Sequence, residues 1–356
     1  MRRELRDGHG RVMRDLRVSI TDRCNFRCVY CLPETEEAAN FYRTRFDAVR
    51  NPNPASTVPL DYAWKPRHEL LQYEEIERFV RVAVDLGIEK VRLTGGEPLL
   101  RRDVPRLVRA LSAIPGIKDL ALTTNGFLFG AQAAALREAG LHRVSISLDS
   151  LVRDRFRLLT GRDGLHETLS AIDVAQTLGF QPVKVNAVII GGLNDHEIES
   201  LAQFARDRGL VMRFIEFMPL DSKRAWQRDL VVSGRTILER LADRFDLVPI
   251  EASSNPSETA RRWRFADGPG EIGIIAPVTQ PFCGHCNRLR LTADGQVRTC
   301  LFSLVEHDIR PLVRGDGSDA ALADRLIGIV RGKESGHRIG QPDFVQPQRT
   351  MSCIGG

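Results

Sequence analysis

From residue 16 to about 218, short apolar runs alternate with longer stretches in which apolar positions recur every three or four residues. The short runs are "LRVSIT" (16–21), "KVRLTGG" (90–96), "DLALTTNG" (119–126), "RVSISLD" (143–149), "VKVNAVII" (183–190) and "VMRFIEFM" (211–218), and they read as strands. Between the first two, Ile76, Phe79, Val80, Ala83 and Leu86 lie three and four apart, which predicts a helix with one apolar face ending near Gly87. Further helices are predicted at about 103–113, 130–139, 167–178 and 195–207. Strict alternation of this kind predicts parallel strands returned by crossover helices, wound into an open sheet or curled into a barrel.

In either arrangement the chemistry gathers where the strands end. The residues there, Thr94 to Glu97, Thr123 to Gly126, Ser147 to Asp149, Asn186 and Glu216 to Met218, are polar and glycine-rich. None of them forms a phosphate loop G-x4-G-K-[ST] or a G-x-G-x-x-G fingerprint. The stretch 34–66 is rich in Pro, Asn and charge without a period, and reads as a long loop. Beyond residue 218 the pattern changes to a helix at 233–245, short strands near 262–265, 271–276, 288–293 and 296–299, and helices at 304–314 and 318–332. The chain therefore divides into 1–218 and a smaller α+β region, 219–356.

Cysteine spacing brings in chemistry. Cys24, Cys28 and Cys31 stand as C-x3-C-x2-C directly after the first strand, and Cys283, Cys286 and Cys300 as C-x2-C-x13-C. Cys353 stands apart as an ordinary thiol, and His285 as a spacer between two ligands. Two separate threes suit metal groups with one open position, and thiolate-only sets favour iron-sulfur clusters over catalytic zinc, which usually takes His or carboxylate ligands. A zinc ribbon sharing ligands across both groups stays open, more so for the second triplet. Composition adds little: 51 basic and 46 acidic residues are interspersed, a mild sign of an anionic ligand and a weak one of nucleic acid. No uncharged apolar run approaches the ~18 residues of a membrane span, so a cytoplasmic protein is expected, and clustered cysteines there read as ligands before disulfides.

"CNFRCVYC" (24–31) and "GGEP" (95–98) resemble the two landmarks of the radical S-adenosylmethionine enzymes. More narrowly, "RDLRVSITDRCNFRCVYC", "RLTGGEPLLRRD", "LTTNG", "VKVNAVI", "RFIEFMP", "FCGHCNRLRLTADG" and the terminal "IGG" resemble the GTP 3',8-cyclases of molybdenum cofactor biosynthesis along the whole chain; only the 34–66 loop looks longer. The resemblance implies an incomplete (β/α)6 TIM-like barrel whose mouth is closed by the C-terminal region, and lyase chemistry. It implies two 4Fe-4S clusters, the first on Cys24, Cys28 and Cys31, the second on Cys283, Cys286 and Cys300. S-adenosylmethionine would sit on the first cluster's free iron, touched by Tyr30, Gly96, Ser147 and Met218. GTP would be held by Arg17, Arg92, Thr123, Lys184, Arg213, Arg288 and Arg290, with Lys90 as a further cation. Arg17, Arg288, Arg290 and the terminal Gly355 and Gly356 would serve catalysis. An electron donor, and a cyclic pyranopterin monophosphate synthase taking the product, are the implied partners; a homodimer is compatible, and neither membrane nor nucleic acid is expected. Two other readings compete: a radical enzyme modifying a peptide, and a non-catalytic metal-dependent RNA-binding protein.

Overall fold

The computed structural model describes residues 4–32, 64–221, 226–251, 256–315 and 317–355. Its strands are β1 (Asp15–Ser19), β2 (Lys90–Thr94), β3 (Asp119–Thr124), β4 (Arg143–Ser147), β5 (Lys184–Ile189), β6 (Val211–Glu216), β7 (Leu247–Ile250), β8 (Arg261–Phe265), β9 (Glu271–Ile275), β10 (Arg288–Leu291), β11 (Gln296–Arg298) and β12 (His307–Asp308). The α-helices among the described residues are α1 (Tyr73–Asp85), α2 (Val104–Ser112), α3 (Phe129–Glu138), α4 (Arg153–Thr160), α5 (Leu165–Thr177), α6 (Ile198–Arg208), α7 (Gly234–Ala242), α8 (Arg310–Arg314), α9 (Asp319–Arg331) and α10 (Met351–Ile354). None of the described helices is long and apolar enough to cross a membrane.

One twelve-stranded sheet runs β12-β11-β10-β1-β2-β3-β4-β5-β6-β9-β8-β7. The six strands read from the sequence occupy its middle in chain order and pair in parallel, as crossovers require. Two strands of the C-terminal region extend that run in the same sense: β10 pairs parallel with β1, and β9 parallel with β6. These two are not hydrogen-bonded to each other, so the result is a partial barrel with a seam, which residues 276–287 span.

Alternation within each strand separates two environments. Leu16, Val18, Val91, Leu93, Leu120, Leu122, Val144, Ile146, Val185, Ala187, Met212 and Phe214 are buried in the main core with the helices. The alternate positions, Arg17, Arg92, Thr123, Ser147, Asn186 and Arg213, line the interior instead. A barrel interior is ordinarily filled by branched apolar side chains. This one carries polar side chains at those strand positions and encloses a cavity.

Three elements depart from the sequence reading. The region 304–314 is not one helix: Leu304 and Val305 are exposed, β12 pairs antiparallel with β11, and α8 starts only at Arg310 with a proline in its first turn. Helix α4 was not foreseen, because "RDRFRLLT" offers few apolar positions to set a period. Strand β7, four residues with a central Pro249, gives too short a signal and sits on the sheet edge where proline is tolerated. Most of the predicted 34–66 loop, residues 34–63, lies outside the described residues.

Candidate active site

At the C-terminal ends of the strands lies a cavity of about 310 Å³. All six cysteines of the two triplets line it, together with Arg17, Tyr30, Arg92, Gly96, Thr123, Ser147, Arg213, Met218, Arg288 and Arg290. Segments far apart in sequence thus meet because β10 pairs directly with β1, Asp15 lying opposite Arg288.

The first triplet rides on the loop after β1, and that loop is clamped from two sides. From the "GGEP" turn, Gly96 N–H donates to the Thr21 carbonyl (2.9 Å) and Glu97 N–H to the Arg23 carbonyl (2.8 Å). A Cβ on Gly96 would lie 2.3 Å from the Arg23 carbonyl oxygen, so close approach to the cysteine loop demands glycine there. From the end of α4, the carbonyls of Thr160 and Leu159 accept from Arg27 N–H (2.7 Å) and Val29 N–H (2.9 Å). Phe26 plugs the loop onto the core through edge contacts with Phe127 and Phe156.

Two buried carboxylates flank these cysteines. Glu97 accepts from the Leu99 N–H (3.0 Å), the Thr124 hydroxyl (2.8 Å) and the Asn125 N–H (2.8 Å); burial nevertheless raises it to about 7. Asp149 accepts from the Tyr30 hydroxyl (2.7 Å) and the Val188 N–H (2.8 Å), and burial raises it to about 6. Burial pushes the Cys24 thiol up to about 11 and Cys31 to about 12, and drives Cys28 well above its usual value with Asp149 adding to the effect. Neither Glu97 nor Asp149 was among the predicted site residues, although both were visible among the polar strand ends.

The second triplet occupies the seam. Glu216, at the end of β6, accepts from the N–H groups of Gly234, Val278 and Thr279 and so ties down the segment leading to Cys283. Arg11, buried and paired with Asp7 at 2.6 Å, donates to the carbonyls of Cys283 (2.7 Å) and Ser335 (2.8 Å). Burial raises Cys300. For Cys286 burial acts upward too, but Arg288 and Lys333 outweigh it and bring the thiol down to about 7.

Between the triplets stand the cations. Arg92 donates to the hydroxyls of Thr123 (3.3 Å) and Ser145 (3.1 Å), and Arg213 to Ser145 (3.0 Å). The Nε atoms of Arg17, Arg92 and Arg213 and the Asn186 side-chain oxygen are buried without a hydrogen-bond partner among the described residues. Burial lowers Arg17 to about 10 and lowers Arg92, Arg213 and Arg290 as well, with neighbouring arginines adding to the effect. Among the described residues none of these arginines forms an ion pair, Asp15, Asp119 and Glu258 acting on them only from the adjoining space, and buried positive side chains crowded together in this way mark a place for a polyanion.

Lys184 is not in this cavity. As the first residue of β5 it lies one layer lower, in an adjoining space of about 270 Å³ that also contains Lys90, Asp119 and Arg143 and shares Arg17, Arg92, Arg213, Thr259 and Arg288 with the first. A belt of arginines joins the two compartments. Burial, with Arg213, Arg143 and Arg92 nearby, lowers Lys184 to about 7. Gly355 packs beside the cavity, its carbonyl accepting from Arg290; a Cβ there would come within 2.7 Å of the Thr94 methyl. Gly356 lies outside the described residues. Ser352 and Met351 of α10 line the cavity, with Ser352 facing Cys31. The tail therefore reaches both the first triplet and the Arg290 guanidinium.

Among the described residues no three His, Cys, Asp or Glu side chains converge as ligands of a single ion. A cluster asks for something else, since each thiolate binds a different iron. Two thiolate-only triplets, each opening on the cavity, fit that requirement.

Comparison with known proteins bears on these observations. Residues 18–205 match the Radical SAM superfamily model and residues 210–339 the Molybdenum Cofactor Synthesis C model. A protein of Acidothermus cellulolyticus named GTP 3',8-cyclase is 46% identical over 90% of this chain and 83% of its own length. Another so named, from Streptomyces coelicolor, is 43% identical over 98% and 96%. Among solved structures, Streptococcus suis SuiB bound to S-adenosylmethionine superposes with a TM-score of 0.58 at 15% identity, covering 91% of this chain and 69% of that one, a likeness of fold. The chain belongs to the radical S-adenosylmethionine superfamily and, within it, to the GTP 3',8-cyclase family.

Proposed function

We propose that this protein converts GTP into (8S)-3',8-cyclo-7,8-dihydroguanosine 5'-triphosphate, the first step of molybdenum cofactor biosynthesis. The observation that carries the reading is the set of partnerless buried guanidinium nitrogens on Arg17, Arg92 and Arg213, in the one cavity onto which both cysteine triplets open. A triphosphate brings about four negative charges to neutralise, and in the absence of a phosphate loop forked guanidinium groups do so best. A peptide offers such a belt at most scattered single carboxylates rather than a run of phosphates.

Cys24, Cys28 and Cys31 hold the first 4Fe-4S cluster and Cys283, Cys286 and Cys300 the second. The first supplies, when bound, the electron that splits S-adenosylmethionine into methionine and a 5'-deoxyadenosyl radical. The chain's own residues arrange the encounter. Gly96 and Ser147 border the cofactor's end of the cavity, with Tyr30 fixed by Asp149 and Met218 as an apolar wall. Arg17, Arg92, Thr123 and Arg213 take the phosphates on their way to Lys184 in the lower compartment. Arg288, stacked 4.9 Å from the Phe282 ring centre, and Arg290, tied to Gly355, flank the nucleotide beside the second triplet. In the net reaction GTP gives its C3' hydrogen atom to the deoxyadenosyl radical, C3' bonds to C8, and one electron and one proton complete the dihydro product. The seam segment and the tail shield the radical from water and stray hydrogen donors. An external donor supplies electrons, and cyclic pyranopterin monophosphate synthase takes the product.

The test is anaerobic reconstitution with iron and sulfide counting, followed by incubation with dithionite, S-adenosylmethionine and GTP. GTP-dependent formation of 5'-deoxyadenosine and a cyclised nucleotide is expected. Failure of both with two clusters present overturns the reading.

A further inference from the structure

One buried cation beside the second triplet has no part in the roles assigned above. Lys333, just beyond α9, is only 4% exposed. Its ammonium donates to the carbonyl of Arg288 (3.1 Å) and to that of Thr299. Those carbonyls lie two residues after Cys286 and one before Cys300, so the side chain staples the two strands that carry these cysteines into the site. Both partners are neutral. The adjacent carboxylate, Glu334, accepts from the Thr299 hydroxyl at 2.7 Å and from Ser303, and it lies close enough to Lys333 for the ammonium to stabilise its charge. A buried ammonium bonded only to carbonyls is costly unless negative charge lies close by. Those carbonyl bonds hold the ammonium beside the backbone of Cys286 and Cys300, so the charge that Glu334 shares is also presented to the second triplet. The first triplet has a different balance, with Asp149 acting on Cys28 and both Glu97 and Arg27 on Cys24.

We propose that Lys333 is a positioning residue of the second cluster, a buried counter-charge that holds its thiolates and keeps its reduction potential up without touching substrate or cofactor. The inference rests on the cluster assignment made above. A cluster's potential follows the net charge around it as well as hydrogen bonding and exposure, and a nearby positive charge favours the reduced state, which carries one more electron. Substituting the lysine by a neutral residue should therefore lower the potential of the second cluster and leave the first in place.

The experiment is an EPR-monitored redox titration of the reconstituted holoenzyme, its signals assigned with a Cys24→Ala, Cys28→Ala, Cys31→Ala variant that retains only the second cluster. Lys333→Met removes charge and donors. Lys333→Gln keeps N–H donors for the carbonyls without the charge, and Lys333→Arg keeps the charge. Expected are a more negative midpoint for the second cluster in the Met and Gln variants, an unmoved first cluster, and an Arg variant close to the unsubstituted protein. If Met and Gln fail to take up the second cluster while Arg takes it up, the counter-charge role stands. An unchanged second midpoint in a two-cluster Gln variant overturns it, as does loss of the cluster in Arg as well, because both outcomes leave only a strand staple. An unsubstituted protein that binds a single cluster overturns the cluster assignment itself.

Discussion

The two cysteine triplets present the same three sulfurs to one cavity from opposite surroundings. Around Cys24, Cys28 and Cys31 the chain places two buried carboxylates, Glu97 and Asp149, and the three thiols are all pushed upward. Around Cys283, Cys286 and Cys300 it places Arg288 and Lys333 with one carboxylate, Glu334; Cys286 falls to about 7, while burial raises Cys300. The difference follows from topology. The first triplet sits on a loop buried between the "GGEP" turn and α4, whereas the second lies in the barrel seam, next to interior strand positions occupied by arginine. Ligand type alone does not set what a cluster does. An electronegative shell suits a strongly reducing centre that gives an electron away, and an electropositive one suits a centre beside an anionic nucleotide.

The largest effect that sharpens this comparison comes from removing one sulfur on each side. Cys24→Ala should abolish 5'-deoxyadenosine formation altogether, while Cys286→Ala should lose the cyclised product yet still cleave S-adenosylmethionine without coupling. Chromatography of both products after reaction with dithionite separates the outcomes, and equal loss of cleavage in the two variants would erase the division of labour.

Next come the belt cations. Arg92→Ala or Arg213→Ala removes a charge-assisted contact of ~1.5–3 kcal/mol, so the KM for GTP should rise roughly 10- to 100-fold. The KM for S-adenosylmethionine should stay in place, as kinetics with each ligand varied will tell.

A smaller effect concerns pH. Lys184 titrates at about 7 in the folded protein against 10.5 ordinarily, so between these values the unfolded chain binds more protons and stability without nucleotide rises with pH. Triphosphate binding restores the proton. Affinity for GTP should accordingly fall as pH rises past about 7, with net proton uptake on binding. Calorimetry in buffers of different ionisation enthalpy measures that uptake, and Lys184→Met should remove it.

The smallest is Tyr30→Phe, which deletes the hydroxyl on Asp149. It should cost ~1 kcal/mol of stability in anaerobic denaturation, with a near-normal rate of S-adenosylmethionine cleavage. A loss as large as that of Cys24→Ala would instead place the hydroxyl in the chemistry.

Much of this was legible in the residues. The short apolar runs marked the six central strands, and the cysteine spacings marked both triplets, because local patterns fix local structure. Pairing of β9 and β10 onto the two ends of that run was not legible, since strand neighbours are chosen by contacts far apart in sequence. The family resemblance named Arg17, Arg92 and Arg213 as nucleotide contacts, but not the layer each occupies. Lys184 falls into the lower compartment because it begins its strand, whereas Arg17, Arg92 and Arg213 stand third in theirs. Lys333 gave no signal at all, for its importance lies in two carbonyls reached across the fold.

The central claim is that the radical generated at the first triplet meets the ribose of a GTP held beside the second. Incubating the two-cluster enzyme with GTP deuterated at C3' tests it directly. The account predicts one deuterium carried into 5'-deoxyadenosine; turnover that yields undeuterated 5'-deoxyadenosine, with the label kept in the nucleotide or lost to solvent, would contradict it.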